Sequence, residues 1–145
     1  MSNIVILIVT AVIGGMAVVL QAQFMGVMDQ NLGTLESVFI TYGSGGLLVG
    51  LTMLAMRGGN LAAWRVLPWY APLAGVVGLI IVGSIGYVTP RLGLVATFTI
   101  FVAAQFIFGA LIDHFGLLGA EIRPIGLSSL AGMVIVLAGV WLIVK

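Results

Sequence analysis

Long apolar runs separated by short polar breaks dominate this chain. Five such runs cover nearly all of the 145 residues, and each has about the 20 residues that a helix needs to cross a hydrocarbon core of roughly 30 Å. Backbone polar groups inside such runs must be satisfied within the segment, which favours helices. The sequence therefore predicts an all-α fold and a single transmembrane domain over 1–145, with helices at about 4–27, 35–56, 66–88, 92–112 and 125–144.

The breaks between the runs are short and rich in turn-forming residues. We interpret 29–33, 57–60 and 89–91 as the first three breaks. Because short connections make sequential helices antiparallel neighbours, the pattern predicts a polytopic bundle of five transmembrane helices. The longer segment 113–124 still contains Phe115, Leu117 and Leu118, so we expect it to form an ordered interfacial loop.

Composition excludes several other classes of protein. The chain is 62% hydrophobic and 6% charged, whereas roughly a quarter of the residues in soluble domains are charged. The absence of cysteine excludes a disulfide framework and a cysteine nucleophile. A net charge of +1 provides no basic patch for nucleic acid. The first residues lack the basic cluster of a secretory signal, so we expect the first helix to be retained.

Enzymatic and metal-binding motifs are not visible. The single histidine, His114, stands beside Asp113, but a zinc site needs three or four convergent ligands. No nucleophile-elbow sequence accompanies it. We expect no catalytic residues, no metal and no cofactor, and we do not expect an enzyme.

Polar side chains inside the apolar runs are better candidates for function. Such groups are costly in the membrane and often mark a substrate path. A primary amide offers four hydrogen-bonding positions that its own helix cannot fill, so ordinary packing is the weaker interpretation of the glutamines. The predicted substrate-binding residues are Gln21, Gln23, Tyr42, Tyr87 and Gln105.

Two of these glutamines lie at different depths. Gln21 lies roughly 9 Å inside the end of the first helix, and Gln105 lies roughly 21 Å from the start of the fourth. Within one chain the two amides sit at different levels. In a pair of inverted copies they fall at about the same depth, where we expect them to meet.

Three charged residues are candidates for coupling or gating: Glu36, Arg91 and Asp113. Each also has a simpler interpretation. Glu36 would stabilise the dipole of the second helix. Arg91 would begin the fourth helix and extend to the headgroups, and the Asp113 carboxylate would accept backbone hydrogen bonds in the loop.

Small residues on the last helix predict a subunit contact. Ser128, Gly132, Ile135 and Gly139 recur at helical intervals, and small residues let membrane helices approach closely. Positive charges are nearly balanced between the two sides, with Arg57, Arg65 and Arg123 opposite Arg91 and Lys145. The balance is compatible with a weak preference for a cytoplasmic N-terminus or with insertion in both orientations.

Several motifs together resemble a known family. They are Gln21-x-Gln23 with Asn31-Leu32-Gly33, the segment 44–50, Pro90-Arg91-Leu92-Gly93, and Gln105 followed by 113–117. In these the chain is similar over essentially its full length to the five-helix YdcZ-type branch of the drug/metabolite transporter superfamily. The spacing Gly132-x6-Gly139 also resembles the last helix of small multidrug resistance proteins, where that stripe forms the dimer contact.

The resemblance implies half of a ten-helix inverted-repeat transporter, completed by dimerisation. It favours an antiparallel homodimer in the bacterial inner (cytoplasmic) membrane that moves a small organic solute by alternating access. The first helix lacks the membrane-embedded glutamate of small multidrug resistance proteins, so coupling to protons through that residue is not expected. A non-transporting assembly subunit remains the alternative. The sequence leaves open which substrate is moved, in which direction, and with which coupling ion if any. It also leaves open whether the topology is fixed or dual and whether the dimer is a homodimer or a heterodimer.

Overall fold

The computed structural model describes residues 2–56 and 59–145, so Arg57, used above in the charge balance, lies outside the described residues. Across these residues the chain forms five α-helices, three short 3₁₀ helices and no strand. The α-helices are α1 (Ser2–Leu32), α2 (Thr34–Ala55), α3 (Ala74–Leu92), α4 (Leu94–Phe115) and α5 (Leu127–Val144). Each lies in a segment long and apolar enough to cross a membrane. The predicted all-α fold with five transmembrane helices is confirmed.

Glycines in the left-handed region of backbone space set three helix ends. Gly33 separates α1 from α2 with φ of 110°, and Gly93 separates α3 from α4 with φ of 81°. Gly116 ends α4 with φ of 62°. Side chains with a Cβ rarely adopt these angles, so Gly33 and Gly93 each permit a sharp change of direction without a long loop.

The first helix runs further than the sequence predicts. It was expected to end at Val27, but it continues to Leu32, so the break is Gly33 alone. The polar residues of this last turn find partners without leaving the helix. Asn31 donates its amide N–H to the carbonyl of Val27 at 2.7 Å, and Asp29 forms the ion pair described below.

The third helix is displaced along the sequence relative to its prediction. Residues Leu61–Val66 and Ala71–Leu73 form 3₁₀ helices, and the α-helix begins at Ala74 rather than Val66. Pro68 and Pro72 lack the backbone N–H that a continuous helix would need there.

Pro90 does not break the chain as expected, because it lies inside α3, which continues to Leu92. A Cβ built on Gly26 would lie 3.5 Å from Pro90 Cδ. The ring therefore packs against α1 at Gly26 at ordinary van der Waals distance.

The chain divides into two compact units, Met1–Arg91 and Leu92–Lys145. In the first unit α1 packs against α2, and Met25, Ser37 and Gly86 bring α1, α2 and α3 together. A Cβ on Gly86 would lie 3.2 Å from Met25 Cε, and the buried Ser37 hydroxyl donates to the Met25 carbonyl at 3.2 Å. In the second unit α4 packs against α5.

The outer surface is the reverse of a soluble protein's. Among the described residues the fully buried side chains are few, and as many are polar as apolar. Large apolar side chains instead point outward, with Leu127 87% and Phe39 77% exposed. Contiguous exposed apolar surface of this extent is expected of a protein that contacts lipid.

The close approach at Gly86 leads to a test with a control in the same helix. Gly86→Leu should destabilise the first unit by about 1 to 3 kcal/mol, because the added atoms overpack the contact with Met25. Gly75→Leu should have little effect, since a Cβ there meets nothing within 4 Å. Unfolding of the two variants in lipid-detergent micelles, followed by circular dichroism, measures the difference. Equal stabilities would contradict the described packing.

Candidate functional site

An ion pair between a buried carboxylate and a half-exposed guanidinium joins the ends of three helices in the first unit. Arg91 Nη1 lies 3.0 Å from Asp29 Oδ2, and the Asp29 side chain is only 4% exposed. The hydroxyl of Thr34, at the start of α2, donates to the other carboxylate oxygen of Asp29. The carboxylate therefore ties the last turn of α1 to the first turn of α2 and the last turn of α3.

Arg91 also covers the ring of Tyr87, one turn earlier in α3. Its guanidinium carbon lies 3.7 Å from the ring centroid, and Nη1 donates to the Tyr87 carbonyl. A guanidinium over an aromatic face gains cation–π attraction. The expectation that Arg91 begins the fourth helix is wrong, because it lies in the last turn of α3.

Asp29 and Thr34 are not among the site residues that the sequence predicts. Asp29 fell in a segment interpreted as a break, where a carboxylate needs no partner. The available signal was that two opposite charges, Asp29 and Arg91, stand at the ends of the first and third apolar runs, which finish on the same side of the membrane. The arrangement neutralises both charges within the span and fixes helix ends, which is a structural role.

A cleft of about 530 Å³ lies between α4 and α5 in the second unit. Gln105, Gly109 and Asp113 are four residues apart on α4, so they share one face of the helix. A Cβ built on Gly109 or Gly132 would meet nothing within 4 Å, so small residues leave this space open. The cleft is lined by Gln105, Phe106, Gly109, Ala110 and Asp113 of α4 and by Ser129, Gly132, Met133 and Val136 of α5.

Polar groups stand at both ends of this cleft. Asp113 lies in the last turn of α4, and Ser129 lies in the first turn of α5. Gln105 precedes Asp113 by eight residues, which places it about 12 Å deeper along the helix axis. The cleft thus has a polar mouth, an apolar wall and an amide at its inner end. It contains two residues that the sequence predicted separately, Gln105 and Asp113.

The loop after α4 is held by backbone hydrogen bonds at this mouth. The Arg123 N–H donates to the Asp113 carbonyl at 2.8 Å, and the Ile125 N–H donates to His114 Nδ1 at 3.2 Å. Nδ1 is therefore unprotonated, and a neutral His114 carries its proton on Nε2.

The Asp113 carboxylate was expected to accept backbone N–H groups in the loop. In the structure the loop instead bonds to the carbonyl of Asp113 and to the ring of His114. Arg123 pairs with Glu121 at 2.8 Å on the surface. Among residues 2–56 and 59–145, no cation lies within ion-pair distance of the Asp113 carboxylate.

Other predicted site residues lie in the first unit. Gln21 and Gln23 are exposed on α1. Tyr42 places its hydroxyl over Gly78 of α3, in the position that a Cβ would need. Glu36 lies in the first turn of α2, and its carboxylate turns back towards Gly33. The meeting of Gln21 with Gln105 across two chains stays a prediction.

The residues of the predicted dimer stripe on α5 do not all have the same surroundings. Gly132 lines the cleft, whereas Ile135 is 71% exposed and Ser128 is exposed. A Cβ on Gly139 would meet nothing within 4 Å, so the stripe keeps room for another helix. Within the described residues, no group of three or more histidine, aspartate or glutamate side chains could hold a metal ion.

Comparison with known proteins identifies the family. A family model described as "Putative inner membrane exporter, YdcZ" matches residues 6–142. No curated protein and no solved structure matches the chain. The family description and the five membrane-length helices place this multi-pass protein in the inner membrane.

The Asp29–Arg91 pair can be measured against a second ion pair in the same chain. A double-mutant cycle of Asp29→Ala and Arg91→Ala should give a coupling of about 1 to 2 kcal/mol, because a charged hydrogen bond to a buried carboxylate is lost while water partly screens the half-exposed Arg91. The matched cycle at Glu121 and Arg123, both largely exposed, should give less than about 1 kcal/mol. Chemical unfolding in micelles provides the four stabilities of each cycle. A coupling at Asp29–Arg91 no larger than the surface value would show that the pair does not fix the helix ends.

Proposed function

The chain belongs to the YdcZ family of the drug/metabolite transporters, and on that premise we propose that it exports a small organic solute across the inner membrane. The observation that carries the proposal is the cleft between α4 and α5, two membrane-length helices. Gln105 and Asp113 both line it. A cleft of about 530 Å³ lies within the range of roughly 300 to 1,000 Å³ found for small-molecule sites.

The distribution of polarity in the cleft supports a solute path rather than a lipid contact alone. Polar side chains within a membrane are costly unless they serve a partner or a wet cavity. Gln105 has no partner among the described residues that would satisfy its amide within its own unit. A solute hydroxyl, amide or amine in the cleft would supply that partner.

The functional unit is proposed to be an antiparallel homodimer. Five helices are half of the ten in the inverted-repeat transporters that the chain resembles. The open position at Gly139 leaves room on α5 for a helix of a second subunit. Small residues let membrane helices associate closely. The nearly balanced positive charges fit insertion in both orientations.

The proposed mechanism is alternating access. Two inverted subunits would rock about a central site near the bilayer midplane, as in other inverted-repeat transporters. Gln105 would hold the solute by hydrogen bonds, with Gln21 of the inverted copy at about the same depth. The Asp29–Arg91 pair would keep three helices of each first unit together during the movement.

Solute flux provides the test of transport. Vesicles that contain the purified protein and are loaded with a mixed metabolite extract should release particular solutes faster than protein-free vesicles loaded with the same extract. Mass spectrometry measures the released solutes. Gln105→Leu should reduce that flux at least about tenfold, because the solute loses its hydrogen bonds to the amide at the inner end of the cleft. Gln30→Leu, which removes an exposed amide from α1, should leave the flux unchanged. Absence of any protein-dependent flux would instead favour a non-transporting assembly subunit.

Dimer formation and orientation are tested separately. Gly139→Leu should shift the protein towards monomer in native mass spectrometry, because a larger side chain prevents close approach of α5. Gly14→Leu is the control, since that glycine of α1 is equally open. A single cysteine at Asn60→Cys, in a chain without cysteine, should react with an impermeant reagent from both sides of the membrane. Labelling from one side only would refute dual orientation.

A further inference from the structure

We propose that the ligand of the α4–α5 cleft is an organic cation with an apolar body, whose charged group pairs with the Asp113 carboxylate. This inference rests on the proposed function, because it names the substrate class of the same site. It also makes Asp113 a specificity-determining residue of that cleft.

The charge of Asp113 is the first feature of the cleft that favours a cationic ligand. Asp113 supplies a carboxylate to the mouth of the cleft, and in the described part of the chain no arginine, lysine or histidine lies within ion-pair distance of it. The nearest basic residue in the sequence, His114, has its Nδ1 occupied by the Ile125 N–H. Arg123 is paired with Glu121. The carboxylate is therefore left for a partner from outside the chain.

The contrast with the first unit strengthens this inference. There the buried carboxylate of Asp29 is matched within the chain by Arg91 and Thr34. The fold thus provides a cation where a carboxylate has a structural role. At Asp113 it provides instead an open space beside the charge, and it holds the loop through the Asp113 carbonyl.

The second such feature is the wall of the cleft. Between Asp113 and Gln105 the lining is apolar, with Phe106, Met133 and Val136 among the contributing side chains. An anion would be repelled by Asp113, and a small hydrated cation would gain nothing from the apolar wall. A cation with an apolar body is complementary to both parts, because charge complementarity selects the head and burial of apolar surface binds the body.

The size of the cleft agrees with such a ligand. Asp113 and Gln105 are separated by a rise of about 12 Å along the axis of α4. The glycines at 109 and 132 keep the intervening space clear. A molecule with an ammonium group, a short alkyl chain and an aromatic ring would fill this length. A hydrogen-bonding group at its far end would reach Gln105.

Binding of a matched probe pair tests the inference. The probes are 4-phenylbutylamine, which is cationic at neutral pH, and its N-acetyl derivative, which keeps the apolar body without the charge. Equilibrium dialysis against the protein in lipid nanodiscs, corrected with empty nanodiscs, should show saturable binding of the amine only. Asp113→Asn should weaken amine binding at least about tenfold, because the charged partner is removed.

Three further variants control for folding and for general charge. Glu121→Gln removes an exposed carboxylate of the same unit and should leave amine binding unchanged. Asp113→Glu keeps the charge and should retain binding. Gly109→Leu keeps every charge but fills the cleft, and it should abolish binding. Circular dichroism checks that each variant is folded.

The outcomes separate this inference from the proposed function. Equal binding of both probes, undiminished binding by Asp113→Asn, or no amine binding by the wild type would each overturn the inference. If vesicles still released neutral or acidic solutes in a Gln105-dependent manner, the transport function would stand without it. Amine binding without any flux would support the cationic site and remove the transport function.

Discussion

The need to satisfy every backbone polar group inside the hydrocarbon core shapes this protein more than any other constraint. Helices meet that need along each span, and at Gly33 and Gly93 a glycine with positive φ allows an abrupt turn from one helix into the next. Polar side chains near those turns must then find partners within the protein. Asp29 does so through Arg91 and Thr34, so the same constraint that forms the helices also joins their ends.

The five spans could be predicted from sequence because hydropathy along a helix is a local property. Their ends could not, because they depend on partners distant in the chain. Asp29 has the polarity of a loop residue, yet it is helical because Arg91 neutralises it 62 positions later. Pro90 has the signature of a break, yet it lies inside α3, and its ring packs against α1 at Gly26.

Individual residues of the candidate site could be predicted from the sequence, but the cleft that they share could not. Gln105 and Asp113 stand out as polar residues in or beside an apolar run, and their four-residue periodicity with Gly109 was visible in the sequence. Ser129 was not selected, because a serine in the first turn of a helix carries no distinctive signal. Only the structure shows that α4 packs against α5, that Asp113 lines the cleft between them and that the Asp113 carbonyl holds the loop.

Access of water to one face of α4 is the most direct measure of the central claim that the cleft is a solute path. Because the chain has no cysteine, single cysteines can be scanned along α4 in lipid and reacted with a charged, water-soluble thiol reagent. We expect fast reaction at Gln105 and Gly109, which line the cleft. We expect slow reaction at Phe108, which lies outside it and is 66% exposed on the apolar surface. Equally slow reaction at all three positions would contradict a wet path between α4 and α5.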